Sequence, residues 1–144
     1  MARRFEFRLE KLLGVRRSRE EAAQRDLDGA RKAVFEQNQA ILPLLQEKEG
    51  GKQALRDLQR KTINILQVRF QEEYLERLER NLCREVEKLQ ELGRVEGEKG
   101  RALIEACKGV RILERFREKK VAAWRLEIER EELKVLDEVN GRVG

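Results

Sequence analysis

The sequence has no histidine and a single proline, Pro43, and only 5% of its residues are aromatic. Without histidine there is no Ser-His or Cys-His catalytic pair and no imidazole ligand for a metal. Scarce aromatics leave little with which to line an enclosed substrate pocket. No stretch approaches the roughly 20 apolar residues of a membrane span. Phe5, Phe7, Leu9, Leu12 and Leu13 are interrupted by charges, so Met1–Leu13 does not read as a secretory signal. Gly93, Gly97 and Gly100 lie among charges, with no preceding strand and no following Lys-Ser/Thr, and so do not form a phosphate loop. The two cysteines, Cys83 and Cys107, fall on what reads as one helix, where their spacing gives roughly 36 Å of rise, so a bond within that helix is excluded. Both are expected to be reduced thiols of a cytosolic protein. The chain is expected to be neither an enzyme nor a cofactor binder.

What the sequence does contain is charge. Charged residues make up 42% of its 144 residues, against about a quarter in an ordinary globular domain. Disorder is the rival reading of so polar a chain, but apolar residues recur at helical spacing over nearly its whole length. The net charge of +5 is mild and unevenly placed. Residues 1–20 carry seven basic side chains against three acidic, and residues 108–125 seven against two; residues 126–139 carry two basic against six acidic. No nucleic-acid recognition motif accompanies the basic segments.

Alternating steps of four and three from Leu9 pass through Leu13, Arg16, Glu20, Ala23, Leu27, Ala30, Val34, Gln37, Ile41, Leu44, Lys48, Gly51, Leu55, Leu58, Thr62 and Ile65, and eleven of these seventeen are apolar. A second series runs from Leu75 through Leu78, Leu82, Glu85, Leu89, Leu92, Glu96, Lys99, Leu103, Ala106, Val110, Leu113, Arg117, Val121, Trp124, Ile128 and Glu131 to Val135. Its steps 113–117–121 form a stutter. Spacing near 3.5 implies helices packed along one narrow seam. Ala23 and Ala30 permit close approach; Gln37 and Lys48 weaken the seam but help set its register.

The expected fold is all-α: a long two-helix antiparallel coiled-coil hairpin forming a single domain over 1–144. Helix 1 is expected over about 5–61, the turn at about 61–64 and helix 2 over about 65–139. Asn64 is a candidate N-cap, with Gln67 three residues on completing a capping box. Pro43 then lies inside helix 1 and should kink it, and Gly50–Gly51 is a further weak spot. In such a hairpin residue i faces roughly residue 126−i. The two basic segments then meet as a collar, and residues beyond about 126 overhang as an acidic spur.

Three groups of residues admit two readings each. Phe5, Phe7, Leu9, Leu12 and Leu13, beside Arg3, Arg4 and Arg8, suit either a membrane-surface anchor or packing at the hairpin's open end, with Leu9 and Leu13 on the seam, Phe5 capping the end, and Phe7 and Leu12 off the seam. Phe70, Tyr74, Leu78, Asn81 and Glu85 form either a docking stripe or packing around the bend. Trp124 is either a plug over the hairpin end or an anchor for another protein.

Three segments carry a resemblance: FEFRLEKLLGVRRSREE at 5–21, FQEEYLERLERNL at 70–82, and ILERFREKKVAAWRLEIEREELKVLDE at 112–138. In this order they resemble the FliJ family of flagellar type III export proteins. The sequence departs from the family pattern at Phe116, where Leu is usual, and in its glycine pair before the turn. The resemblance implies a hairpin similar to the central stalk of rotary ATPases. It implies a cytoplasmic protein, peripheral at the inner membrane, that inserts into and stimulates the hexameric export ATPase and contacts the export gate protein FlhA and export chaperones. For the ATPase contact, the open end of the hairpin offers Arg16, Arg17, Arg111, Arg115, Lys119, Lys120 and Trp124, with the spur through Asp137 and Glu138. The resemblance points to Phe70, Tyr74, Leu78, Asn81 and Glu85 for the gate. Alternatives are a stalk protein of a non-flagellar secretion system and a generic coiled-coil spacer.

Overall fold

The computed structural model describes residues 4–61 and 64–143, without the side chain of Val143. It holds two helices, α1 (Glu10–Lys61) and α2 (Ile65–Val143), of 52 and 79 residues. The all-α hairpin expected from the periodicity is the observed fold. Arg3, the seam position Thr62 and the middle of the expected turn lie outside the described residues. Asn64 caps α2: its side-chain oxygen accepts the Leu66 N–H at 3.2 Å and its carbonyl accepts the Val68 N–H at 3.1 Å. Among the described residues Gln67 does not return a bond to Asn64, so the cap is the simple form rather than the reciprocal box.

Helix α1 begins at Glu10, not near residue 5. On a helix, positions 5 and 7 would point about 200° apart. In the non-helical segment before α1, Phe5 and Phe7 both turn toward α2 and are half-buried. Alternate residues of an extended chain share a face, and burying both rings is worth more than one further helical turn. The Glu10 N–H to Phe7 carbonyl bond (3.1 Å) and the Leu13 N–H to Leu9 carbonyl bond (2.9 Å) then start the helix. Helix α2 runs four residues past the expected end, to Val143, because Gly141 only weakens a helix, by about 1 kcal/mol, and does not stop it.

The chain divides into two compact units, Met1–Gln24 with Ala102–Gly144, and Arg25–Arg101. In the first, Leu13 and Val110 are buried; in the second, Leu27, Ile41, Leu78 and Leu82. The α1 seam positions through Leu58 are buried or half-buried apart from Arg16. Ile65, placed last in that series, belongs instead to α2 and is exposed. On α2 every seam position from Leu75 to Ile128 is buried or half-buried, whereas Glu131 and Val135 are exposed. The partners within each unit fit the antiparallel register: Arg117 meets Glu10, Arg17 meets Glu114, Lys48 meets Glu79, and Gln37 meets Glu85. Each falls within about five residues of 126−i.

The polar seam positions are satisfied across the helices. Gln37 Nε2 donates to both the carbonyl and the carboxylate of Glu85, at 2.9 and 2.7 Å, so shifting the register would strand a half-buried amide. Lys48 lays its stem along the seam and reaches Glu79 at 3.5 Å. Pro43 is exposed and α1 continues through it, so the hydrogen bond it removes from the helix lies on the solvent side. Arg94 bridges Glu91 and Glu98 along α2, supporting the glycine-containing stretch by side-chain pairing.

The two glycines of the pair differ, and Gly51 is a point of close approach between the helices. It is buried, its carbonyl accepts Gln71 Nε2 at 3.0 Å, and a Cβ there would come within 2.6 Å of Leu75 Cδ2. Gly50 faces open space. Gly50→Ala should therefore raise stability by about 1 kcal/mol through helix propensity, while Gly51→Ala gains less because Leu75 must shift. Gly51→Val should cost about 1–3 kcal/mol by overpacking. Urea unfolding followed by circular dichroism measures all three, and equal gains at both alanine variants would disprove a close approach at Gly51.

Candidate functional site

The first unit holds the basic collar. Arg16, Arg17, Arg111, Arg115, Lys119 and Lys120 are all exposed. Arg17 is engaged with Glu114 at 3.4 Å, and the Arg16 guanidinium lies across Gly109, 3.1 Å from where a Cβ would stand. Lys120 Nζ sits 5.3 Å from the centre of the Phe116 ring, held by the ring's negative face. Arg111, Arg115 and Lys119 have no ion-pair partner among the described residues. Beyond Ile128, every described residue of α2 through Arg142 is exposed, including Asp137, Glu138 and the apolar Leu133, Val135, Leu136 and Val139.

The segment before α1 covers the aromatic side of this unit. Phe5 stacks obliquely on Trp124, with ring centres 5.9 Å apart at 58°, and Phe7 meets Phe116 at 5.9 Å and 54°. Phe7, placed off the seam by its spacing, is thus engaged within the chain, while Leu12 remains 40% exposed. These rings border a cavity of about 700 Å³ rimmed by Arg4, Arg8 and Lys120. Trp124 Nε1 is buried and has no hydrogen-bond partner among the described residues. An aromatic pair contributes about 0.5–1.5 kcal/mol beyond burial, and an orphaned donor costs about 1–3 kcal/mol. The orphaned donor offsets the gain from ring geometry, and burial of the rings holds the cover in place.

Arg117 was not among the sequence candidates. It bonds Glu10 at 3.0 Å and lies 5.5 Å from the centre of the Phe5 ring, tying the covering segment to α2. The sequence signal was present: Arg117 is the charged residue at the stutter, a seam position with a polar occupant.

The second unit brings together part of the proposed gate stripe. Tyr74, Leu78 and Asn81 line one shallow groove of about 360 Å³ with Leu44, Glu47 and Arg77. The Tyr74 hydroxyl donates to Glu47 at 3.3 Å. Leu78 is only 6% exposed, so it forms the floor of the groove and not a projecting contact. Phe70 and Glu85 are not among the groove-lining residues; Phe70 stands in solvent, and Glu85 turns into the seam beside Gln37. The Gln37 hydrogen bond, with help from Lys88, holds the Glu85 carboxyl below its ordinary pKa.

The sequence model described as Flagellar FliJ protein matches residues 5–143. The chain belongs to the FliJ family. No curated protein and no solved structure matches it. Family membership makes this a flagellar export-related protein of a structural family not known as an enzyme. No helix among the described residues is long and apolar enough to cross a membrane.

Two measurements check this description of the FliJ-family chain. Trp124 is the sole tryptophan, so Phe5→Ala should red-shift its emission and increase quenching by acrylamide, with little loss of helicity; unchanged emission would mean Phe5 does not shield the indole. The Glu85 pKa is lowered on folding, so its contribution to stability is present above the unfolded value of 4.5 and lost as the pH falls through the lower folded value. The stability difference between the wild type and Glu85→Ala should accordingly shrink below about pH 4.5. A difference that stayed constant into acid would dismiss the Gln37–Glu85 bond as its source.

Proposed function

We propose that this protein is the non-enzymatic stalk component of the flagellar export apparatus. The unit bearing the basic collar and the exposed end of α2 enters the hexameric export ATPase and stimulates it, while the Tyr74 groove engages the gate protein FlhA. Export chaperones are further partners. The observation that carries this reading is the charge of the collar: Arg111, Arg115 and Lys119 face solvent with no acidic partner among the described residues, next to a helix end that carries the opposite charge.

Such a surface suits an acidic lumen. Exposed charges contribute little to holding a hairpin together, but they orient a partner and speed its encounter. The helix end beyond Ile128 supplies the apolar part of the contact through Leu133, Val135, Leu136 and Val139. In the gate groove, Tyr74 supplies a rigid aromatic surface with a polar tip, Asn81 an exposed amide, and Leu78 the apolar floor.

The collar is tested by Arg115→Glu, Lys119→Glu and Lys120→Glu combined. Stimulation of the same organism's export ATPase should fall at least tenfold, with the helical circular dichroism signal retained. Undiminished stimulation would take the collar out of the contact.

A further inference from the structure

Residues 58–71 form the longest stretch of the chain without an acidic side chain: fourteen residues in a sequence that carries 28 acidic groups. Over 52–71 there are five basic residues, Lys52, Arg56, Arg60, Lys61 and Arg69, against the single acid Asp57. Within this stretch Ile65, Leu66 and Phe70 are 64, 67 and 69% exposed, among the least covered large apolar side chains of the molecule. They are not seam residues left partly open. At 100° per residue, Ile65, Leu66, Arg69 and Phe70 share a face of α2 that turns away from Leu75, Leu78 and Leu82. Arg60 and Lys61 end α1, and the capped start of α2 adds the positive end of a helix dipole.

We propose that this end of the second unit is a docking surface for an anionic lipid bilayer. Ile65 and Leu66 enter the headgroup layer, and Arg60, Lys61 and Arg69 meet the lipid phosphates. The first carboxylates along this face, Glu72 and Glu73, stand about two turns further along α2, so the apolar side chains at its start are flanked by cations and match an interface that is apolar inside and negative outside. Neither element binds strongly alone: two or three apolar side chains give a shallow hold, and each cation near an anionic surface adds about fivefold in affinity. Together they give reversible, salt-sensitive binding, since such charges are screened beyond about 10 Å at 0.1 M salt. The surface is separate from the Tyr74 groove and from the collar, and this proposal does not rest on either.

Sedimentation of the full chain with vesicles tests it. Binding is expected to vesicles containing about one-third phosphatidylglycerol in phosphatidylcholine, and to be at least tenfold weaker on phosphatidylcholine alone. Arg60→Glu with Lys61→Glu should weaken binding by about 30-fold or more. Ile65→Ser with Leu66→Ser should weaken it by about tenfold at the same salt. These residues are exposed, so helicity should be unchanged in both variants. Arg115→Glu with Lys119→Glu should bind vesicles like the wild type. The proposal is overturned by absence of binding to the anionic vesicles, by loss of binding on reversal of the collar but not of the tip, or by retention on soluble polyglutamate in preference to vesicles, which would assign the surface to an acidic protein.

Discussion

Each helix carries one narrow apolar stripe, and it can be covered only by the stripe of the other. A charged fraction of 42% leaves no second layer of apolar residues to add, and only six large apolar side chains are buried among the described residues, with Leu13 alone completely enclosed. Helices in water gain most of their stability from such packing rather than from propensity. The antiparallel register therefore controls everything else, because it sets which residues meet. It puts Gln37 beside Glu85 and Gly51 beside Leu75 in one unit, and Arg117 beside Glu10 in the other.

Charge plays different parts on the two sides of these helices. Most ion pairs are local and exposed, such as Lys32 with Glu36 or Lys108 with Glu105, and each is worth about 1 kcal/mol or less. The cross-helix contact of Gln37 with Glu85 is part-buried and that of Lys48 with Glu79 exposed; both fix the register more than they add energy. The cations left unmatched contribute little to the fold. Their effect is a field at the surface, which acts on the approach and orientation of a partner.

The aromatic cover of the first unit combines ring contacts with a cation brace. Phe5 and Phe7 shield Trp124 and Phe116, Arg117 braces the segment from α2, and the indole N–H has no acceptor among the described residues.

The sequence by itself determined the helical class, the antiparallel register, the meeting of the basic segments, the Asn64 cap and the place near Ile128 where the seam ends. These follow from local rules: a 3.5-residue spacing repeated over many turns, and a capping side chain next to its helix. Only the tertiary structure decided that α1 starts at Glu10, that Phe7 packs on Phe116, that Gly51 is a point of close approach, and that Leu78 is a floor rather than a projection. Each depends on the distance between two backbones or on the direction of a ring, quantities that spacing along one strand of sequence does not contain. Arg117 lies between the two cases: its place on the seam was visible at the stutter, but its bond to Glu10 and its position over Phe5 required the folded partner.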